Sequence, residues 1–415
     1  MWLLIYRFLS NSFFIPIFLF FLLRFLVSKE TTLSILEKFT IFNKKRPIGD
    51  LIWINGVSIG EVKTGITVAK EIKKIKPKSS ILFSTSTLSA YDLLCKSKNN
   101  FVVIFFPVDI NFIVKRFLKY WNPSAVFFIE SEIWPNIFYV LKEKFIKLSI
   151  LNARISKKSC MNWKRINFFS KSVFPLIDQC LVQNNDSLKR YEELGVKNVK
   201  KIQNLKYISQ ALEVNETAYN KIFNELKSKR IVTLFSSHEG EEEMLAGIYE
   251  VLSKKISNLF FIIIPRHTNR IKKITEQFKK EKFSFLLSNQ NKFKITNEKI
   301  LLVNTFGDLG IFFKLSEIAV VGGSFSNNGG HNPIETKDFN CSLIFGPHME
   351  NFEDIKCDII KSKAGFEVKN SSQLIRMISR LLKDKKLNRE TNRKFKTLCK
   401  SQFYKSKSIL RSVIK

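Results

Sequence analysis

All four histidines of the chain, His238, His267, His331 and His348, fall in its second half, each just after an apolar run that reads as a strand. Their neighbours suit anions. Ser236-Ser237-His238-Glu239-Gly240 leads into a helix start, and Pro265-Arg266-His267 closes a strand with a permanent cation. Gly322-Gly323-Ser324, continued by Gly329-Gly330-His331-Asn332-Pro333-Ile334-Glu335, is a glycine-rich loop entering a helix. Backbone N–H groups and the helix dipole at such a loop form a cradle for phosphate. Glu335 stands where a carboxylate accepts from a ribose diol. No two histidines have i, i+4 spacing and no cysteine joins them, so the pattern argues against zinc, and no metal is expected. Plain glycine turns explain any one of these segments but poorly explain all of them together.

The first half offers carboxylates. Val57-Ser58-Ile59-Gly60-Glu61 follows an apolar strand and opens a helix. Glu61 has two readings: an acid favoured in a helix's first turn, or a general base at the mouth of a cleft. Glu130-Ser131-Glu132-Ile133-Trp134-Pro135-Asn136 sets two carboxylates beside an aromatic ring at another strand's end. Paired acids can hold different protonation states when their surroundings differ, although Glu132 also suits a helix cap ahead of Pro135. The chain has no G-x-x-x-x-G-K-[ST] loop and no G-x-S-x-G elbow, which counts against a P-loop ATPase and an α/β-hydrolase.

The elements that must position these groups alternate. Strand-like runs at 51–54, 80–84, 101–105, 125–129 and 148–151 are separated by helical patterns. The pattern restarts at 231–235, 259–264, 300–303, 318–321 and 343–345. Such alternation implies βαβ units, parallel sheets and ligand sites beyond the carboxyl ends of the strands. The expectation is an α/β chain of two doubly wound halves: residues 29–207, residues 208–390, and a C-terminal helix, 391–415, packing back on the N-terminal domain. The 415 residues and 45% hydrophobic content suit two domains and exclude wholesale disorder. Six scattered cysteines without C-x-x-C spacing argue against a disulfide framework.

Lysine and arginine number 69 against 36 acids, a net charge of +33, which points to an anionic partner, with drift toward Lys, Asn, Ile and Phe as the plainer source. Residues 1–28 read as a membrane anchor, the segment Phe8 to Val27 being mostly Phe, Leu and Ile. The cations after it, Lys29, Lys38, Lys44, Lys45 and Arg46, place the body on the cytoplasmic side of an inner membrane, held by a span or by a helix lying on the anionic surface.

These motifs, with Asn152-Ala153-Arg154-Ile155-Ser156, Ser237-His238-Glu239-Gly240-Glu241 and Phe345-Gly346-Pro347-His348, resemble in content and order the bacterial 3-deoxy-D-manno-octulosonic acid (Kdo) transferases that act on lipid A. The resemblance implies a GT-B fold, two Rossmann-like domains facing a cleft. It implies CMP-Kdo as donor and a lipid A precursor (lipid IVA) as acceptor. Transfer would be inverting, with no metal or other cofactor and no nucleic-acid partner. It assigns Glu61 as general base and Glu130 and Lys206 as groups that stabilise the transition state. Contacts to CMP fall on Pro265 and Arg266, on Phe306, Gly307 and Asp308, and on Glu335, Thr336, Lys337 and Asp338. The chain departs from the usual pattern at Asp308, where glutamate is common, and at Asn204 before Leu205-Lys206. Another GT-B transferase, or an epimerase using a UDP-sugar, is the alternative.

Overall fold

The computed structural model describes residues 2–97, 99–209, 211–288, 298–305 and 307–414. The chain divides into two compact units. One runs through Ser209 and takes in the segment from Phe403 onward; the other holds the intervening residues through Gln402.

The first unit is built on a parallel sheet of β1 (Leu51–Asn55), β2 (Ser80–Thr85), β3 (Val102–Phe105), β4 (Ala125–Ile129), β5 (Lys147–Ala153), β6 (Gln179–Val182) and β7 (Val199–Lys201), in the order β3-β2-β1-β4-β5-β6-β7. The strands read as unbroken apolar runs because both faces are covered. Leu51 and Trp53 point into one core, with Phe117, Trp121 and Phe128, while Ile52 and Ile54 point into the other, with Val62, Phe83 and Leu410.

The second unit is also a seven-stranded parallel sheet, of β8 (Arg230–Ser237), β9 (Leu259–Pro265), β10 (Phe285–Leu287), β11 (Ile300–Leu302), β12 (Ile318–Val321), β13 (Ser342–Phe345) and β14 (Phe366–Glu367), but ordered β10-β11-β9-β8-β12-β13-β14, with β11 inserted between β10 and β9. Four strands, β6, β7, β10 and β14, are absent from the sequence reading. They have two to four residues each, too few to show a period.

Two expectations change. The apolar N-terminus is not one helix: Trp2–Ser12 and Phe14–Leu26 are separate helices bent by 55°. Pro16 supplies the reason, since its ring would clash with the carbonyl four residues back, and it sits without penalty in the first turn of a new helix. Among the described residues no single helix is long and apolar enough to cross a membrane, although the bent pair together passes that test. The first helix docks on the unit, with Leu3, Arg7 and Ser10 buried. The Tyr6 hydroxyl donates to Asp109 (3.1 Å), and the Arg7 guanidinium lies 3.7 Å over the Tyr139 ring. The second helix buries none of its residues.

The other change is at the glycine-rich loop, which enters a single 3-10 turn, Pro333–Thr336, rather than an α-helix. Only five residues separate Thr336 from β13 at Ser342, too few for further helical turns.

Candidate active site

In the first unit β1 and β4 are neighbours, but the chain leaves them toward opposite edges of the sheet. Crossovers diverge at such a point, so a crevice opens beyond the carboxyl ends of the two strands. Glu61 stands after β1. Ser58 caps the helix Ile59–Ile75 and accepts from the Glu61 amide. The Glu61 carboxylate returns the contact, taking the Val57 N–H (2.9 Å) on one oxygen and the Ser58 hydroxyl (2.8 Å) on the other. The helix-cap reading of Glu61 is therefore correct as local structure. Burial nevertheless lifts its pKa to about 7, against the two cap bonds, and the charges of Glu130 and Glu132 push the same way.

Glu130 stands after β4 with φ of 69°, a left-handed backbone that a residue with a Cβ adopts at a penalty of about 1 kcal/mol or more. Its carboxylate pairs with the Lys206 ammonium at 3.2 Å. Glu132 accepts from the Trp134 indole (2.8 Å), and burial raises its pKa. Lys206 is aimed by a buried amide relay. Gln183 donates to the Asn152 carbonyl (2.7 Å), the Asn152 side chain accepts the Leu205 N–H (2.9 Å), and Asn204 donates to Gln183 (3.1 Å) while accepting the Lys206 N–H (3.0 Å). Glu61, Glu130 and Lys206, three sections of chain apart, thus converge on one mouth, with Glu132 beside them.

In the second unit the equivalent point lies between β8 and β12. Here the rings gather. His238 and His331 stack 5.1 Å apart with their Nε2 atoms at 2.8 Å, and His267 meets His238 edge-on at 6.2 Å. Burial drives the His331 imidazole down to about 3, helped by the positive charge of Arg266, and lowers His238 as well. Two neutral rings can share that short contact, one donating and one accepting. Pro265 ends β9, and the Arg266 amide donates to the Ser237 carbonyl (3.1 Å), leaving its side chain exposed beside the rings.

The remaining sequence-predicted contacts are more scattered. Asp308 lies after β11, two strands from β8, and accepts from Thr305 (2.8 Å); Gly307 beside it has φ of 104°, and Phe306 lies outside the described residues. Thr336 is buried, its hydroxyl turned back to the Pro333 carbonyl (2.9 Å). Glu335 lies in the same turn and Lys337 and Asp338 follow it; burial lowers the Lys337 pKa.

Sequence reasoning missed the Gln183–Asn152–Asn204 relay. Asn152 in its motif was the available signal, but nothing in the spacing tied it to Lys206. It also missed the second-unit Glu241, buried at 2% exposure and bonded to two loops.

A family model described as 3-deoxy-D-manno-octulosonic-acid transferase (Kdotransferase) matches residues 34–209. A Rickettsia bellii protein named 3-deoxy-D-manno-octulosonic acid transferase is 31% identical over 379 residues, covering 91% of this chain and 90% of that one. Among solved structures, a glycosyltransferase from Rickettsia africae aligns with a TM-score of 0.59 at 15% identity, over 90% of this chain and 97% of its own. An Anabaena protein, HepE, solved with UDP and glucose, aligns with a TM-score of 0.59 at 11% identity, over 88% and 99%. The two parallel α/β units and these fold neighbours show the GT-B glycosyltransferase fold, and the relative shows that the chain belongs to the Kdo transferase family.

Proposed function

We propose that the chain transfers Kdo from CMP-Kdo to a phosphorylated lipid A precursor, lipid IVA, with inversion at the anomeric carbon and without a metal. The observation that carries this reading is the placement of a carboxyl group with a pKa of about 7 at the β1/β4 crevice, beside an ion-paired lysine. A base poised near the working pH combines a useful ionised fraction with real proton affinity. In the step, the acceptor oxygen bonds to the anomeric carbon as the bond from that carbon to the cytidylate oxygen breaks. Glu61 takes the acceptor proton, and CMP leaves with the electron pair. The exposed Ser58 hydroxyl turns aside as the acceptor hydroxyl takes its place on the carboxylate. Lys206 stabilises the negative charge that develops on the departing cytidylate, and Glu130 the positive charge that develops at the anomeric carbon, fixed charges of a preorganised site being worth more than in bulk water.

The second unit takes the donor. Arg266 meets the phosphate. Pro265, Phe306, Gly307, Asp308 and Glu335 through Asp338 contact the nucleotide, with Glu335 on the ribose diol. The helix Phe14–Leu26, exposing Ile15, Leu19, Leu23 and Leu26, attaches the chain to the cytoplasmic face of the inner membrane. At ~1.5 Å per residue its 13 residues reach about 20 Å, short of a ~30 Å hydrocarbon core, so it lies in the interface. Measuring CMP release from CMP-Kdo with lipid IVA, together with mass analysis of the lipid, tests the whole reading. Release of CMP with a Kdo-extended lipid is expected; a folded enzyme that turns over only UDP-sugars would overturn it.

A further inference from the structure

The glycine-rich loop after β12 has the amide geometry of an anion cradle, but an anion of the protein already fills it. Glu241, the first residue of the helix Glu241–Ser253, is buried at 2% exposure. One carboxylate oxygen accepts the His238 N–H (2.9 Å) and the Gly323 N–H (2.7 Å). The other accepts the Phe325 N–H (3.0 Å) and the Ser326 hydroxyl (3.4 Å). The loop closes on itself through the Gly330 N–H to the Gly323 carbonyl (2.8 Å), and the Gly322 N–H is spent on the Phe235 carbonyl (2.8 Å). Gly323 holds φ of 67°, which strains any residue with a side chain, and a Cβ there would stand a tight 3.2 Å from both the His238 and His331 rings.

We propose that Glu241 is a positioning residue: an internal carboxylate that permanently occupies the amide nest of the glycine-rich loop. It ties the β8 loop to the β12 loop and sets the His238–His331 pair, so the phosphate of the nucleotide is met by side chains, Arg266 first, and not by the loop's amides. This rests on the reading of the second unit as the nucleotide domain. Four donors converge on one carboxylate, and charge-assisted bonds of this kind are about twice as strong as neutral ones. Removing the carboxylate leaves three backbone amides and a hydroxyl unsatisfied and frees the two loops from each other.

The test is CMP binding by the full-length wild type, Glu241→Ala and Glu241→Gln, read by titration calorimetry with thermal unfolding as the folding check. In Glu241→Gln an amide N–H must face the backbone donors, so this variant keeps the volume and loses the match. Both variants are expected to bind CMP about tenfold or more weakly, and ~50 mM formate, small enough to enter the vacated nest, is expected to restore binding to Glu241→Ala but not to Glu241→Gln. A general loosening of the fold would not respond to formate. Unchanged or tighter CMP binding by a folded variant overturns the proposal, because the nest would then be the phosphate site with Glu241 as its competitor. If Glu241→Ala does not fold, Glu241→Gln decides by the same affinity readout. Failure of the wild type itself to bind CMP would instead overturn the nucleotide-domain reading.

Discussion

The two sheets are both seven-stranded and parallel, and their switch points are electrostatic opposites. At β1/β4 three carboxylates crowd together, and burial pushes Glu61 and Glu132 toward holding a proton. At β8/β12 imidazoles and a guanidinium gather, and burial pushes His238 and His331 toward losing one. The same desolvation acts on both mouths, yet it leaves a proton acceptor poised near neutrality in one and neutral hydrogen-bonding rings in the other. The carboxylates that the second mouth does contain are satisfied internally: Glu241 in its amide nest, and Glu242 by Arg270 (2.8 Å) and Ser237 (2.7 Å). The comparison teaches that the fold supplies the crevice while the residue set decides which mouth gathers carboxylates that favour a proton and which gathers neutral rings beside a guanidinium.

The comparison breaks most sharply at Glu61. Glu61→Gln should lower turnover by roughly a hundredfold or more, the scale of general-base catalysis, with CMP affinity nearly unchanged in a binding titration. Turnover within a few-fold of wild type would remove Glu61 from the chemistry. Lys206→Ala should also act on turnover, by a factor of about 30–100 in steady-state assays, since it removes one electrostatic contact and leaves Glu130 unpaired. In the other half, Arg266→Ala should weaken CMP binding about tenfold while the single-turnover rate at saturating donor changes far less. An effect confined to the chemical step would erase the division between the halves.

Two smaller effects sharpen the contrast. The unfolded chain releases the Glu61 proton near 4.5 and the folded chain near 7, so between those values the native state holds more protons and stability falls as pH rises. Glu61→Gln should therefore melt higher than wild type at pH 8, by about 1 kcal/mol after discounting for partial exposure. A lower melting point would show that the cap bonds outweigh the desolvation. Glu132→Gln takes a negative charge away from Glu61. The acid limb of the rate profile should then move down by a few tenths of a pH unit, and an unmoved limb would mean that burial alone sets the poise.

Much of this was legible in the sequence because parallel strands buried on both faces are written as apolar runs, as in Leu51-Ile52-Trp53-Ile54 and Phe260-Phe261-Ile262-Ile263. The glutamates and histidines stand at the ends of such runs. The N-terminal break was present in Pro16, but the apolar composition on either side masked it. The occupant of the glycine-rich loop was hidden for a different reason. Its glycines signalled a tight backbone, and only the tertiary position of Glu241, some eighty residues away, brings a carboxylate onto the Gly323 and Phe325 N–H groups. The relay aiming Lys206 was hidden likewise, since Asn152, Gln183 and Asn204 meet only after three strands have paired.

The docked N-terminal helix has a practical consequence. Trimming it away, the usual remedy for a greasy terminus in protein production, would strip Asp109 of its phenol partner and uncover Tyr139 and Phe169. Polar replacements at Ile15, Leu19 and Leu26 on the following helix would lessen stickiness while keeping that joinery whole.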